Sequence, residues 1–282
     1  MKAPAKINLF LKVTGVRDDG YHTLENVYLP VSELYDDVSL KPSDSSGISL
    51  EQLSGPSVPT DRSNLCLKAA DVFAATTGLS PDVSIQLSKR IPIAAGLGGG
   101  SSDAASVLTL LNEHCGKPLS CDELHCIAAN LGADVPFFLN PKPALGLGIG
   151  DELSPIELTC AVPLLIVTPS FQLPVAWSFN HLKTLPQDSQ PHLDACLKAM
   201  KDGDIEALAA NCRNDLEHAV FEKFPILQMI REAMIAAGAL TVHISGSGPS
   251  LFAIAPEERL PAIAEASRKF ISVNVFFTTQ LP

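Results

Sequence analysis

Residues Ala5–Val13 alternate in character: Ala5, Ile7, Leu9, Leu11 and Val13 fall on one side, and Lys6, Asn8, Phe10 and Lys12 on the other. A period of two predicts a strand with one apolar face and sets Lys6 beside Asn8 on the opposite face. Asp18-Asp19-Gly20 marks a turn, with Tyr21 and His22 just beyond it. Short strands are predicted at Val38–Leu40, Ile48–Leu53 and Val83–Leu87. Between the last two, Ser54–Ser63 reads as a loop because it carries Gly55, Pro56 and Pro59. Asn64–Thr77 has apolar residues at helical spacing and ends at Gly78. A second helix runs from Asp103 to about His114. Ser120-Cys121-Asp122-Glu123 is a capping box that opens a third, closed by Gly132, and Asp134 follows at once.

The second half has another rhythm. Pro163–Val167, Leu240–Ile244, Leu251–Ala255 and Val273–Phe277 read as strands, and Asp204–Cys212, Ile226–Ala237 and Glu257–Phe270 as helices. Strand, helix, strand, strand, helix, strand predicts a split βαβ layer. A boundary near Gly148–Asp151 divides a first domain, 1–149, from a second, 150–282. Ser54–Ser63 and Thr184–Pro191 are candidate mobile loops.

Composition narrows the class. The 282 residues suit about two domains, and 46% hydrophobic against 18% charged residues favours a packed core over disorder. A net charge of −11 argues against non-specific nucleic-acid binding, which needs Lys and Arg to displace phosphate counterions. It leaves room for a local basic pocket holding a small anion. No apolar run approaches the ~20 residues that span a bilayer; Ala161–Val167 reads as a buried strand. Lys2, Lys6 and Lys12 precede no continuous apolar stretch, so no signal peptide is read. Seven scattered cysteines point to reduced thiols in a cytoplasm. His114, Cys115, Cys121, His125 and Cys126 lack the paired C-x-x-C arrangement, which favours packing over a metal site.

The strongest chemical feature is Pro92-Ile93-Ala94-Ala95-Gly96-Leu97-Gly98-Gly99-Gly100-Ser101-Ser102. Glycine permits positive φ and close backbone approach, and a helix start supplies unpaired N–H groups and partial positive charge. Together they suit phosphate; the plain alternative is a turn with Ser101 or Ser102 as N-cap. No lysine follows the last glycine, as a Walker A loop requires. The position deep in the chain does not suit a dinucleotide fingerprint. The missing cation must come from elsewhere, with Lys6, Lys89 and Arg90 as candidates. Asp134 lies between a helix-ending glycine and the apolar run Val135-Pro136-Phe137-Phe138, where a carboxylate is costly unless paired. Pairing with Lys6 would keep it ionised; the alternative is a capping or surface acid. Ser245-Gly246-Ser247-Gly248-Pro249 is a second glycine-rich turn, or a plain hairpin loop.

Pro4-Ala5-Lys6-Ile7-Asn8-Leu9, the Pro92–Ser102 segment and Ser245–Pro249, in that order, resemble the GHMP kinase superfamily. Asp19-Gly20-Tyr21-His22-Thr23-Leu24, Gly132-Ala133-Asp134-Val135-Pro136 and Asn214-Asp215-Leu216-Glu217 are similar to its branch acting on a CDP-linked methylerythritol in non-mevalonate isoprenoid synthesis. The resemblance covers essentially the whole chain. It implies an α+β fold of two domains, the N-terminal one like ribosomal protein S5 and the C-terminal one ferredoxin-like (split βαβ). It implies ATP-dependent phosphorylation of a hydroxyl by a cytoplasmic enzyme, with ATP and Mg²⁺ as cofactors, the metal ligands being unassigned. By the same resemblance Asp134 is the base and Lys6 its cationic partner. Asn64, Lys89, Pro92, Gly96, Leu97, Gly98, Gly99, Gly100, Ser101 and Ser102 serve ATP, and Asn8, Tyr21, His22, Tyr28 and Phe179 serve the CDP substrate. The partner is a small molecule, with no nucleic acid or membrane, and the chain acts as a monomer or weak homodimer. Rival readings are a mevalonate or homoserine kinase, a non-catalytic nucleotide-binding module, and an RNA-binding protein. Tyr21-His22 speaks against the first, since those substrates offer no base to stack, and the acidic balance against the last.

Overall fold

A computed structural model describes residues 1–182 and 192–280; the expected mobile loop at Thr184–Pro191 lies outside them. Two compact units interleave along the chain. One comprises Met1–Ala5, Glu33–Ile93 and Gly98–Pro141, the other Lys6–Ser32, Ala94–Leu97 and Lys142–Pro282. Strands β1 (Lys2–Val16) and β2 (His22–Pro42) are long enough to contribute residues to both.

In the first unit, the second half of β2 is followed by β3 (Ile48–Ser54), helix α1 (Leu65–Thr77) and β4 (Val83–Ser88). Strand β4 is central: Asp37–Pro42 of β2 runs antiparallel to it and β3 parallel. Val83, Ile85 and Leu87 alternate on its buried face, as the period of two predicts. Helix α2 (Gly99–His114) packs on α1, and α3 (Cys121–Leu131) and α4 (Val135–Leu139) pack on α2. Asn64 caps α1, accepting from the Cys66 N–H, and Gly78 ends it at φ 73°. Ser120 and Glu123 form the expected capping box of α3.

In the second unit, β5 (Ala144–Leu147) and β6 (Glu152–Pro155) form a hairpin, and β5 pairs with Asn26–Tyr28 of β2. After β7 (Val162–Pro169) come α5 (Val175–Asn180), α6 (Leu193–Asp202), α7 (Ile205–Ala210), β8 (Arg213–Asn214), α8 (Glu217–Lys223) and α9 (Pro225–Ala236). The chain closes with β9 (Thr241–Ile244), β10 (Leu251–Ile254), a 3₁₀ turn at Glu257–Arg259, α10 (Leu260–Ser267) and β11 (Val273–Gln280). The antiparallel sheet order β11-β7-β10-β9 is that of a split βαβ layer. Leu227, Ile230 and Met234 of α9 and Leu260 and Ile263 of α10 join Val242, Ile244, Leu251 and Ala253 in its core.

Several elements depart from the sequence expectations. Strand β1 buries both sides of its middle: Lys6 is 4% and Asn8 1% exposed, as buried as their apolar neighbours. Only Val38–Leu40 was expected where β2 extends from His22. Its stretch Asn26–Val31 is buried without alternation, and a strand covered on both faces loses the period that would reveal it. Helix α2 starts inside the glycine run rather than at Asp103. Helix α7 covers less than Asp204–Cys212, since Asp204 is its cap. Among the described residues no helix is long and apolar enough to cross a membrane.

All seven cysteines are free thiols: Cys121 and Cys126 are exposed, and Cys66, Cys196 and Cys212 are buried. Burial raises all three buried thiols, Cys196 to about 12. Alkylation of the native protein at mild alkaline pH is therefore expected to label Cys121 and Cys126 first and the buried three only after unfolding. Peptide mapping checks this, and early labelling of Cys196 would contradict the packing.

Candidate active site

The glycine segment has two halves with different reasons for lacking side chains. Ala94–Leu97 belongs to the second unit, and Gly96 takes φ 77° there. A Cβ on Gly96 would sit 2.1 Å from the Ser245 carbonyl oxygen. The Ser245 hydroxyl donates to the Gly96 carbonyl at 2.9 Å, and the Ser250 N–H donates to the Ala95 carbonyl at 3.2 Å. The two glycine-rich turns are thus locked together by one side-chain and one backbone hydrogen bond. Gly98–Ser102 belongs to the first unit and starts α2, with Gly98 at φ 72° as a cap without a side-chain bond. The first N–H groups of the helix have no carbonyl one turn back within it. Gly100 needs neither positive φ nor close packing: a Cβ there meets nothing within 4 Å. Its bare backbone keeps exposed space clear beside the helix start, which is where an anion would approach.

In the second unit, the Lys6 Nζ donates to Asn8 Oδ1 at 2.6 Å and Asn8 Nδ2 to Asn26 Oδ1 at 2.8 Å. The Tyr28 ring centroid lies 5.9 Å from the ammonium. The Lys6 N–H donates to the Leu97 carbonyl, which ties the strand to the first glycine turn. A Cβ on Gly246 would come within 3.1 Å of both Lys6 Nζ and Asn8 Oδ1, so the second glycine turn is the wall beside the lysine. Asn214 Nδ2 holds that turn through the carbonyls of Ile244 and Gly246, each at 2.7 Å. Asp215 accepts from the Val13 N–H at 2.8 Å and from Arg213 Nε at 2.6 Å, and Glu217 accepts from the Ile244 N–H at 2.7 Å. Asn214-Asp215-Leu216-Glu217 is therefore a hub joining β1, β9 and the glycine turn. Its signal in the sequence was its part in the resemblance; its task was invisible there, as was that of Asn26.

Asp134 stands at the start of α4 in the first unit, and its carboxylate makes no capping bond. Val135, Pro136, Phe137 and Phe138 beyond it are buried. The aromatic residues divide into exposed and buried sets. Tyr21 is 59% exposed, and the rings of His22 and Phe179 lie 5.2 Å apart, tilted by 39°. Phe179 packs against Leu11, Val13, Leu24 and Leu216, which fixes its ring. Tyr28, expected on the cytidine face, is 1% exposed with its hydroxyl donating to the Gly150 carbonyl at 3.2 Å. Gly146 and Gly150 approach its ring closely, and the ring borders Lys6.

Lys89 also differs from expectation. Its ammonium donates to Asp103 Oδ2 at 2.6 Å and to Asp36 Oδ2, and all three side chains are buried. Burial alone would lower the Lys89 pKa; Asp103 and Asp36 outweigh it and hold it above the usual value. Burial pushes the Asp103 carboxyl up against the pull of Lys89. An ammonium committed to two carboxylates is not a cation for phosphate. Arg90 Cζ lies 5.0 Å from the Tyr35 ring centroid. Asn64 uses both ends of its amide, capping α1 and donating to the Pro59 carbonyl at 2.7 Å. Among the described residues no three His, Cys, Asp or Glu side chains gather as a metal site.

The GHMP kinases N terminal domain matches residues 64–141 and the GHMP kinases C terminal domain residues 196–272. The 4-diphosphocytidyl-2-C-methyl-D-erythritol kinase of Chlorobium limicola is 39% identical over 254 residues, 89% of this chain and 86% of the relative. That of Chlorobium chlorochromatii is 38% identical over 99% of this chain and 94% of its own. A crystal structure of 4-(cytidine 5'-diphospho)-2C-methyl-D-erythritol kinase superimposes with TM-score 0.82 and 36% identity, covering 99% of this chain and 98% of that one. A homoserine kinase from Cytophaga hutchinsonii (TM-score 0.73, 21% identity) shares the fold.

The two kinds of glycine should respond differently to a methyl group. Gly96→Ala is expected to cost about 2 kcal/mol or more, from strain at positive φ and collision with the Ser245 carbonyl. Gly100→Ala is expected to be neutral or to gain up to ~1 kcal/mol, since alanine favours a helix. Chemical denaturation measures both, and equal losses would refute the distinction.

Proposed function

The chain belongs to the 4-diphosphocytidyl-2-C-methyl-D-erythritol kinases of the GHMP kinase superfamily, and from that membership we propose how its residues share the work. The reaction moves the γ-phosphoryl group of ATP to the 2-hydroxyl of 4-diphosphocytidyl-2-C-methyl-D-erythritol, giving the 2-phosphate and ADP, in non-mevalonate isoprenoid precursor synthesis. In our proposal Asp134 accepts the hydroxyl proton as the oxygen attacks phosphorus. Lys6 steadies that carboxylate and the charge on the transferred group. The N–H groups of Gly96–Ser102 cradle the phosphates. Positioning and charge stabilisation dominate phosphoryl transfer, so a donor cradle, one cation and one acid are the parts required. The observation that carries the reading is Gly100, whose missing side chain serves no need of the folded chain.

Tyr21, His22 and Phe179 form the cytidine face, with the exposure of Tyr21 and the His22–Phe179 ring pair in support. Asn8, fixed by Asn26 and Lys6, orients the methylerythritol end. Tyr28 acts through Lys6. Asn64, Lys89 and Pro92 flank the nucleotide as backbone supports. Mg²⁺ would neutralise phosphate charge, and Ser102 fits as one ligand because its buried hydroxyl has no hydrogen-bond partner among the described residues. Functionally we divide the chain at 149/150, between the two matched domains. We place it in the cytoplasm as a monomer or weak homodimer acting on small molecules, the net charge of −11 weighing against nucleic acid.

A coupled assay of ADP release across the CDP-linked alcohol, mevalonate and homoserine tests the assignment: turnover is expected with the first alone. Asp134→Asn should lower kcat by about a thousandfold with ATP affinity nearly intact; survival of activity would remove Asp134 as base. Tyr21→Ala should raise KM for the cytidine substrate more than for ATP, and equal rises would end the stacking argument.

A further inference from the structure

Three buried side chains meet beneath the glycine segment. Lys89 follows β4 and leads into the segment, Asp103 lies in α2 just past its first turn, and Asp36 comes from β2. Asp36 Oδ1 accepts from the N–H groups of Arg90 at 2.5 Å and Ile91 at 2.9 Å, while its Oδ2 accepts from Lys89 Nζ. The same ammonium donates to Asp103 Oδ2 at 2.6 Å. A Cβ on Gly99 would lie 2.9 Å from Ile91 Cγ2 and 3.3 Å from Lys89 Nζ, so the first residue of α2 rests on the ammonium. Lys89 is itself anchored: its N–H donates to the Ser54 carbonyl at 3.0 Å. Asp36 is 0%, Asp103 2% and Lys89 5% exposed.

We propose that Asp36, Lys89 and Asp103 are a buried ionic staple that joins the two ends of the phosphate loop, 89–91 and 99–103, and so presets the N–H groups of α2 for ATP. The proposal rests on the ATP-loop reading above. A chain so rich in glycine carries high conformational entropy, and ordering it on binding would weaken affinity. A surface ion pair would be screened and geometrically loose. A buried one has fixed directions and no solvent to exchange with. The three are positioning residues, because a phosphate beside Asp36 and Asp103 would meet more repulsion than Lys89 could offset.

The test is Lys89→Met/Asp103→Asn, which removes one charge of each sign and leaves the net charge of the cluster unchanged. Thermal unfolding establishes that the variant is folded, and calorimetric titration with ATP reads the loop without turnover. The expected result is ATP Kd and KM raised about tenfold or more, with KM for the CDP-linked alcohol within about twofold. Asp103→Asn alone keeps an acceptor for Lys89 and the Lys89–Asp36 pair, so it should stay within about threefold of wild type in ATP affinity. Should the double variant not fold, Lys89→Arg takes its place with the same readout, because a planar fork cannot reproduce the ammonium's geometry. A folded variant with wild-type ATP affinity overturns the proposal, even if its melting temperature falls. Wild-type protein that binds ATP but phosphorylates no alcohol would sink the kinase reading and leave this test standing; failure to bind ATP at all would overturn both.

Discussion

An ammonium group survives burial only where oxygens or aromatic faces replace its water, and two buried lysines of this protein, Lys89 and Lys6, meet that demand. Lys89 lies between two carboxylates, inside more negative charge than it carries. Its strength is spent on backbone geometry, since Asp36 also grips the N–H groups of residues 90 and 91. Lys6 is oriented by the neutral amide of Asn8 at 2.6 Å and bordered by the Tyr28 ring. That amide, two residues along the same strand, fixes where the ammonium points.

Close backbone approach is the second constraint, and it explains why the glycine positions are unequal. Gly96 and Gly246 are demanded by their neighbours, one facing the Ser245 carbonyl and the other Lys6 and Asn8. Gly99 is demanded by Ile91 and Lys89 below it, whereas Gly100 answers to nothing in the fold. The first three are fixed by packing within their own units, and the last is not. Asn214, Asp215 and Glu217 complete the second unit's share by spending their side chains on backbone groups of β1, β9 and the glycine turn. Such residues add no chemistry of their own, yet they hold the wall beside Lys6 in place.

What could be read beforehand follows from which forces are local. Helices α1 and α3 were legible to their caps, because Asn64, Gly78, Ser120 and Glu123 act within a few residues of themselves. The split βαβ order of the second half was legible from short apolar runs punctuated by turns. The long strand β2 was not, because its residues Asn26–Val31 are buried without alternation. The burial of Lys89 and of Tyr28 was not legible either, for one shared reason. Burial of a polar side chain is decided by partners far along the chain: Asp36 is 53 residues from Lys89, and Gly150 is 122 residues from Tyr28.

By itself the sequence determined the glycine-rich helix start, the family, and the reaction that follows from both, since spacing within a motif is covalent information. Only the tertiary structure decided which carboxylates hold Lys89, which glycines are demanded by their neighbours, and which asparagines and acids hold the backbone in place. Those outcomes depend on electrostatics and contact between segments distant along the chain, and desolvation acts on a side chain only once the fold has chosen its surroundings.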